Sequence, residues 1–177
     1  MGMENRKRGM KKSGQTEISF GMIFSIILII FFLAAAFYAI KVFMGFSDTA
    51  KAGKFYTDLQ SDIKNIWGNS AFSSGQHDYI IPSGINLVCF VDFSSDAKGK
   101  NSNLYTDLKM GTYTGDENLV LYPLKHNNFD SKRIDYIDLS EITSAENPFC
   151  IQTSNGKVSM ILKKDIGQDL VTITRAG

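Results

Sequence analysis

Apolar and polar positions follow three successive patterns along this chain. From residue 18 to residue 40 there is no charged side chain, and the stretch FGMIFSIILIIFFLAAAFYAI is apolar on every face. At 1.5 Å per residue such a run makes a helix of about 34 Å, enough to cross the roughly 30 Å hydrocarbon core of a bilayer. A helix lying on a soluble domain would instead show a single apolar stripe. That stripe appears next: between 51 and 67, Phe55, Leu59, Ile63 and Ile66 recur at spacings of three and four, with Lys54, Asp58, Asp62 and Lys64 between them. The spacing predicts an amphipathic helix that ends at Gly68-Asn69. Gly45 and Gly53 interrupt the join, which leaves one bent rod or two hinged helices.

From residue 85 the pattern becomes that of strands. Runs rich in β-branched and aromatic residues fall at 85–93, 119–122, 134–139, 149–153, 158–162 and 170–174, with Gly, Pro and Asn breakers between them. Asn155-Gly156 is the sharpest turn signal and predicts a type I′ hairpin pairing 150–153 with 158–163. The expected fold class is α+β, an N-terminal transmembrane helix continuing into an amphipathic helix, followed by an antiparallel β-sheet ectodomain. The expected divisions are a basic leader at 1–14, a transmembrane helix at 15–42, an amphipathic helix or stalk at 43–68 and a β-rich extracytoplasmic domain at 69–177.

Charge sets the orientation. Arg6, Lys7, Arg8, Lys11 and Lys12 precede the apolar run against two acids, Glu4 and Glu17, whereas Lys41, Lys51 and Lys54 follow it alongside Asp48 and Asp58. A cytoplasmic N-terminus and an exterior C-terminal domain are expected. The whole chain carries a net charge of +1, so removing the basic leader leaves a slightly acidic remainder. No basic surplus is left there to hold nucleic acid. A removable secretory signal has an apolar region of about 7–15 residues. This run is longer, and its candidate cleavage site, Ala34-Ala35-Ala36, lies inside it, so the helix is expected to be retained.

The junction Lys11-Lys12-Ser13-Gly14-Gln15-Thr16-Glu17-Ile18-Ser19-Phe20 is a basic leader ending in Gly, then a short polar segment with one carboxylate, then the apolar helix. It resembles the type IV prepilin class, and in particular the archaeal class III signal peptides of pilins and archaellins. The resemblance covers roughly residues 6–67, as a pattern of residue types. It implies that a membrane-embedded prepilin peptidase cuts between Gly14 and Gln15, leaving the apolar helix in the mature subunit. It also implies that the second half of the long helix lies on a β-sheet. The family usually carries its carboxylate at the fifth mature position, occupied here by Ser19, whereas Glu17 is third. Glu17 has two open readings: a register-setting partner for a neighbouring subunit's amino terminus, or a marker of the helix's cytoplasmic edge.

Cys89 and Cys150 both fall in predicted strands of the exterior domain. Outside the membrane a bridge between them would persist, contributing on the order of 4 kcal/mol in the chain-entropy model. Two buried thiols acting as small hydrophobes are the other reading. A zinc site has little support, because His77 and His126 stand at no ligand-like spacing from either Cys. No cofactor is implied. No nucleophile elbow, phosphate-binding glycine loop or zinc-protease helix occurs, and the acids Asp92 and Asp96, and Asp135, Asp138 and Glu141, lack the order of a calcium loop. They read as solvated charges, and an enzyme is not expected.

The expected function is therefore a membrane-anchored, pilin-like structural subunit of a filament or secretion pseudopilus. The alternative is a non-assembling single-pass protein with an extracytoplasmic binding domain. The implied partners are the lipid bilayer, further copies meeting through the apolar helix, and the prepilin peptidase and assembly machinery. Gly21, Ser25 and Ala34 to Ala36 would allow close helix approach. Loops at 96–99 and 111–118 are expected to meet partners on the outer surface.

Overall fold

The computed structural model describes residues 20–69, 72–112, 114–125 and 129–177. The chain divides into two compact units, Met1–Val42 and Phe43–Gly177. The described residues of the first unit are helical and exposed throughout. They belong to α1 (Phe20–Trp67), which is assigned as one helix through Gly45 and Gly53. In the second unit the hydroxyls of Thr49 and Thr57 donate to the Gly45 and Gly53 carbonyls, at 3.1 and 2.9 Å. A helical glycine costs about 1 kcal/mol. Burial of the following face outweighs that: Ala52, Phe55, Tyr56, Leu59, Ile63 and Ile66 are all buried, as their spacing predicts. The helix stops where Gly68 donates its N–H to the Lys64 carbonyl at 3.0 Å, and the Lys164 ammonium caps the Trp67 carbonyl at 2.7 Å.

Among the described residues seven strands follow, β1 (Ser73–Ile80), β2 (Leu87–Phe90), β3 (Leu119–Tyr122), β4 (Ser131–Lys132), β5 (Phe149–Gln152), β6 (Lys157–Lys164) and β7 (Thr172–Arg175). They form two sheets, ordered β1-β6-β7 and β4-β3-β2-β5, and every ladder pairing is antiparallel. The α+β class is as expected, with the strands shared between two sheets. Short helices α2 (Tyr105–Met110) and α3 (Leu139–Ile142) lie in the connections.

Two local expectations are corrected, and one strand lies outside the expected set. The Asn155-Gly156 turn forms with both residues at positive φ, 51° and 72°, and the reciprocal Ser154 and Lys157 backbone bonds at 2.8 and 2.9 Å close it. It does not make a hairpin of β5 with β6. β5 pairs with β2 and β6 with β1 and β7, so the chain changes sheet at the turn, where Thr153 N–H goes to the Asn86 carbonyl at 3.0 Å. The run at 134–139 is not a strand, because side-chain amides take its backbone bonds. Asn118 bonds both the N–H and the carbonyl of Ile134, and Gln60 does the same for Asp135. Finally, β1 was not foreseen: Ser-Ser-Gly-Gln-His-Asp-Tyr-Ile is polar, and the pairing of all eight residues with β6 makes it a strand.

Sheet β4-β3-β2-β5 is buried on both faces. Val88, Phe90, Leu119, Leu121 and Ile151 share one core with α1 and the other sheet, through Leu59, Ile63, Met160, Leu162 and Ile173. Cys89, Val91, Val120 and Cys150 point the other way, into a second cluster closed by Leu104, Tyr105 and Leu108. Double burial explains why the run around β2 is apolar without alternation.

Candidate functional site

Gly14, Gln15 and Glu17, the expected processing and assembly residues, lie outside the described residues, as does His126. The apolar part of α1 begins at Phe20, and every residue from 20 to 46 is exposed. Phe20, Phe31, Phe32, Phe37, Tyr38 and Phe43 present most of their side-chain surface. This is one helix long and apolar enough to cross a membrane. Contiguous exposed apolar area on this scale is the mark of an interaction surface, for lipid or for protein. Of the small residues, Ser25 bonds back to the Gly21 carbonyl at 2.8 Å, which hides its hydroxyl from an apolar surrounding.

Cys89 and Cys150 form a disulfide. They stand directly opposite across β2 and β5 with Cα atoms 4.0 Å apart, and both are buried. The loop at 96–99 is held by a residue that sequence reasoning passed over. Asn147, fully buried, accepts from Asp92 N–H at 3.1 Å and donates to the Asp92, Ser95 and Asp96 carbonyls at 2.8, 3.3 and 3.2 Å. Its backbone exchanges two bonds with Lys98. Gly99, at φ +78°, lies so close that a Cβ there would stand 2.5 Å from the Glu146 Cβ. The single outward signal was an Asn beside a Pro, which ordinarily reads as a turn.

The charged side chains make further ties. Asp48 accepts from Ser83 N–H at 3.0 Å and from the Lys125 ammonium at 3.2 Å. Burial pushes the Asp48 carboxyl up, but these bonds outweigh it and hold the group below the usual carboxylate range. Asp92 behaves alike: desolvation is outweighed by hydrogen bonds from Ser94 and Ser95 and by the charge of Lys98. His77, on β1, places Nδ1 3.1 Å from an Asp62 oxygen that also accepts from the Tyr79 hydroxyl at 2.9 Å. Among the described residues no group of three or more His, Cys, Asp and Glu side chains could hold a metal ion.

A cleft with a cavity volume of about 650 Å³ opens between the connections that follow β2, precede β3 and follow β4. Asp92, Asp116, Glu117 and Asp135 line it together with Lys109 and Arg133. Arg133 Nε lies 3.1 Å from Asp135 Oδ1. The Glu117 carboxylate is buried and accepts from the backbone N–H groups of Thr114 and Gly115. The apolar part of the lining includes Phe93, Leu139 and Leu170, and Tyr136 stands beside them. The Tyr136 ring stacks on Trp67 at a centroid distance of 4.1 Å, and its backbone is at φ +65°. The expected partner loop at 111–118 thus contributes Gly115 to Asn118 to this cleft, and the acid Asp135 joins it, whereas Asp138 caps α3 by accepting from Glu141 N–H at 2.9 Å. Comparison of the chain with models of known protein families, with curated proteins and with solved structures gives no match.

Proposed function

We propose that this chain is a membrane-anchored, pilin-like structural subunit of a type IV pilus-like filament or secretion pseudopilus. The observation that carries the reading is α1 itself. A single helical element has apolar residues exposed from Phe20 to Phe46, and from Ala52 to Ile66 it buries one face in a disulfide-closed β-domain. The exposed part needs lipid before assembly and further copies of itself afterwards. The basic leader ending at Gly14, followed by Gln15, supplies the place where a prepilin peptidase would free the helix for that exchange. Positive charge ahead of the span keeps the leader in the cytoplasm and the β-domain outside.

Material sheared from the cell surface tests this reading. Filaments containing the chain, absent when Gly14→Val is introduced, are the expected result. A chain found only in the membrane fraction, with no surface filament, overturns the subunit reading. It would favour the alternative, a non-assembling anchored ectodomain whose binding surface is the cleft beside Tyr136.

A further inference from the structure

We propose that the cleft beside Tyr136 binds a short neutral oligosaccharide. This goes beyond the subunit reading and holds whether or not the chain assembles, because every residue concerned lies in the Phe43–Gly177 unit. The cavity volume, about 650 Å³, falls within the usual range of small-ligand sites. Its charges select against anions: four carboxylates, Asp92, Asp116, Glu117 and Asp135, stand against Lys109 and Arg133. The bound ligand must therefore be neutral or cationic.

The rest of the lining favours the neutral class. A sugar hydroxyl both donates and accepts, so it is matched by side chains that alternate in kind. Lys109 and Arg133 donate while Asp116 and Asp135 accept. A cation would leave the two donors facing like charge. A pyranose also has a flat C–H face, and the cleft wall holds an aromatic ring for it, Tyr136, which Trp67 backs from outside the lining. Tyr136 and Trp67 stack on each other at 26° between ring planes, and each remains about one-third exposed, 37%.

The ring is fixed before any ligand arrives. Tyr136 holds a left-handed backbone conformation, rare for a bulky residue, and such strain persists only where neighbours enforce it. Here the Tyr136 carbonyl accepts from Val171 N–H at 2.9 Å, and the adjoining Asp135 accepts from and donates to the Gln60 side chain. Pre-ordering of this kind lowers the entropic cost of binding.

Trp67, the single tryptophan, is the natural reporter. The full chain in detergent micelles is titrated with cellotriose, mannotriose and triacetylchitotriose. Anionic sialyllactose and cationic spermidine serve as comparisons, with calorimetry as a second readout. At least one neutral trisaccharide is expected to give saturable binding and a shift in Trp67 emission. Tyr136→Asn, which tolerates the left-handed backbone but removes the ring, should weaken that binding about tenfold or more. Asp116→Asn, at an exposed position, should weaken it without touching the aromatic pair. No binding of any neutral trisaccharide at millimolar concentration, binding of spermidine or sialyllactose alone, or binding undiminished in both variants would overturn the proposal.

Discussion

Asn147 has four side-chain bonds and no solvent exposure, so its loss removes one partner each from the Asp92 N–H and from the Asp92, Ser95 and Asp96 carbonyls, of which the Ser95 carbonyl keeps the Tyr105 hydroxyl at 3.0 Å. Each of the four lost bonds costs about 0.5–1.5 kcal/mol net. Asn147→Ala should lower stability by about 3 kcal/mol in urea unfolding of the detergent-solubilised chain. Gly99→Ala, which adds a Cβ at positive φ against Glu146, should cost about 1–2 kcal/mol in the same assay. Two tyrosines give a pH signature. Burial, then the Asp130 charge, raises Tyr56, and burial, then the Asp62 hydrogen bond, raises Tyr79, both far above the ordinary value. The unfolded chain ionises tyrosine near pH ~10. The stability their neutral phenols confer is therefore complete below that pH and is lost as pH rises above it. A Tyr56→Phe, Tyr79→Phe double variant should flatten this alkaline decline when unfolding midpoints are compared at successive pH values. Phe55, Leu59 and Ile63 were legible as core from their spacing alone. Asn147 was not, since a polar residue in a loop carries no periodic signal and its three partner residues, Asp92, Ser95 and Asp96, lie more than fifty residues away.

Among the elements, the second half of α1 shows how pattern becomes packing. Leu59 is fully buried in the core that α1 shares with both sheets, and Leu59→Ala should cost about 2–5 kcal/mol, read from the same unfolding curves. The Cys89–Cys150 bridge ties β2 to β5 at the edge of the four-stranded sheet, where Arg175 from β7 also bonds the Cys150 carbonyl at 2.8 Å. Replacing both cysteines with Ala should lower stability by about 2–5 kcal/mol while leaving the fold's circular dichroism unchanged. The sequence carried the turn at Asn155-Gly156 but not the destiny of its arms. A type I′ turn dictates local backbone geometry, whereas strand partnership is decided by which neighbours complete each ladder. β6 found eight partners in the polar β1, and β5 found four in β2. Likewise the run at 134–139 reads as a strand, and its Ile134 and Ile137 are buried, yet Asn118 and Gln60 take the backbone bonds that a strand needs.

At the scale of the whole molecule, one chain carries a helix long and apolar enough to cross a membrane and a β-domain with two hydrophobic cores. The apolar run was plain in the sequence because twenty-odd uncharged residues have few other solutions. The cleft beside Tyr136 was not plain, since its lining comes from connections scattered between residues 91 and 170. In the proposed subunit the helix would exchange lipid for its copies, the leader would be removed first, and the cleft would stay on the outer domain. Removal of the leader is the step on which the subunit reading turns. Intact mass and N-terminal sequencing of the protein recovered from native membranes, beside a Gly14→Val variant, measure it directly. A mature chain beginning at Gln15, lost in the variant, is the expected result. A chain that keeps Arg6 to Lys12 in both would contradict prepilin-type processing and leave an anchored ectodomain in its place.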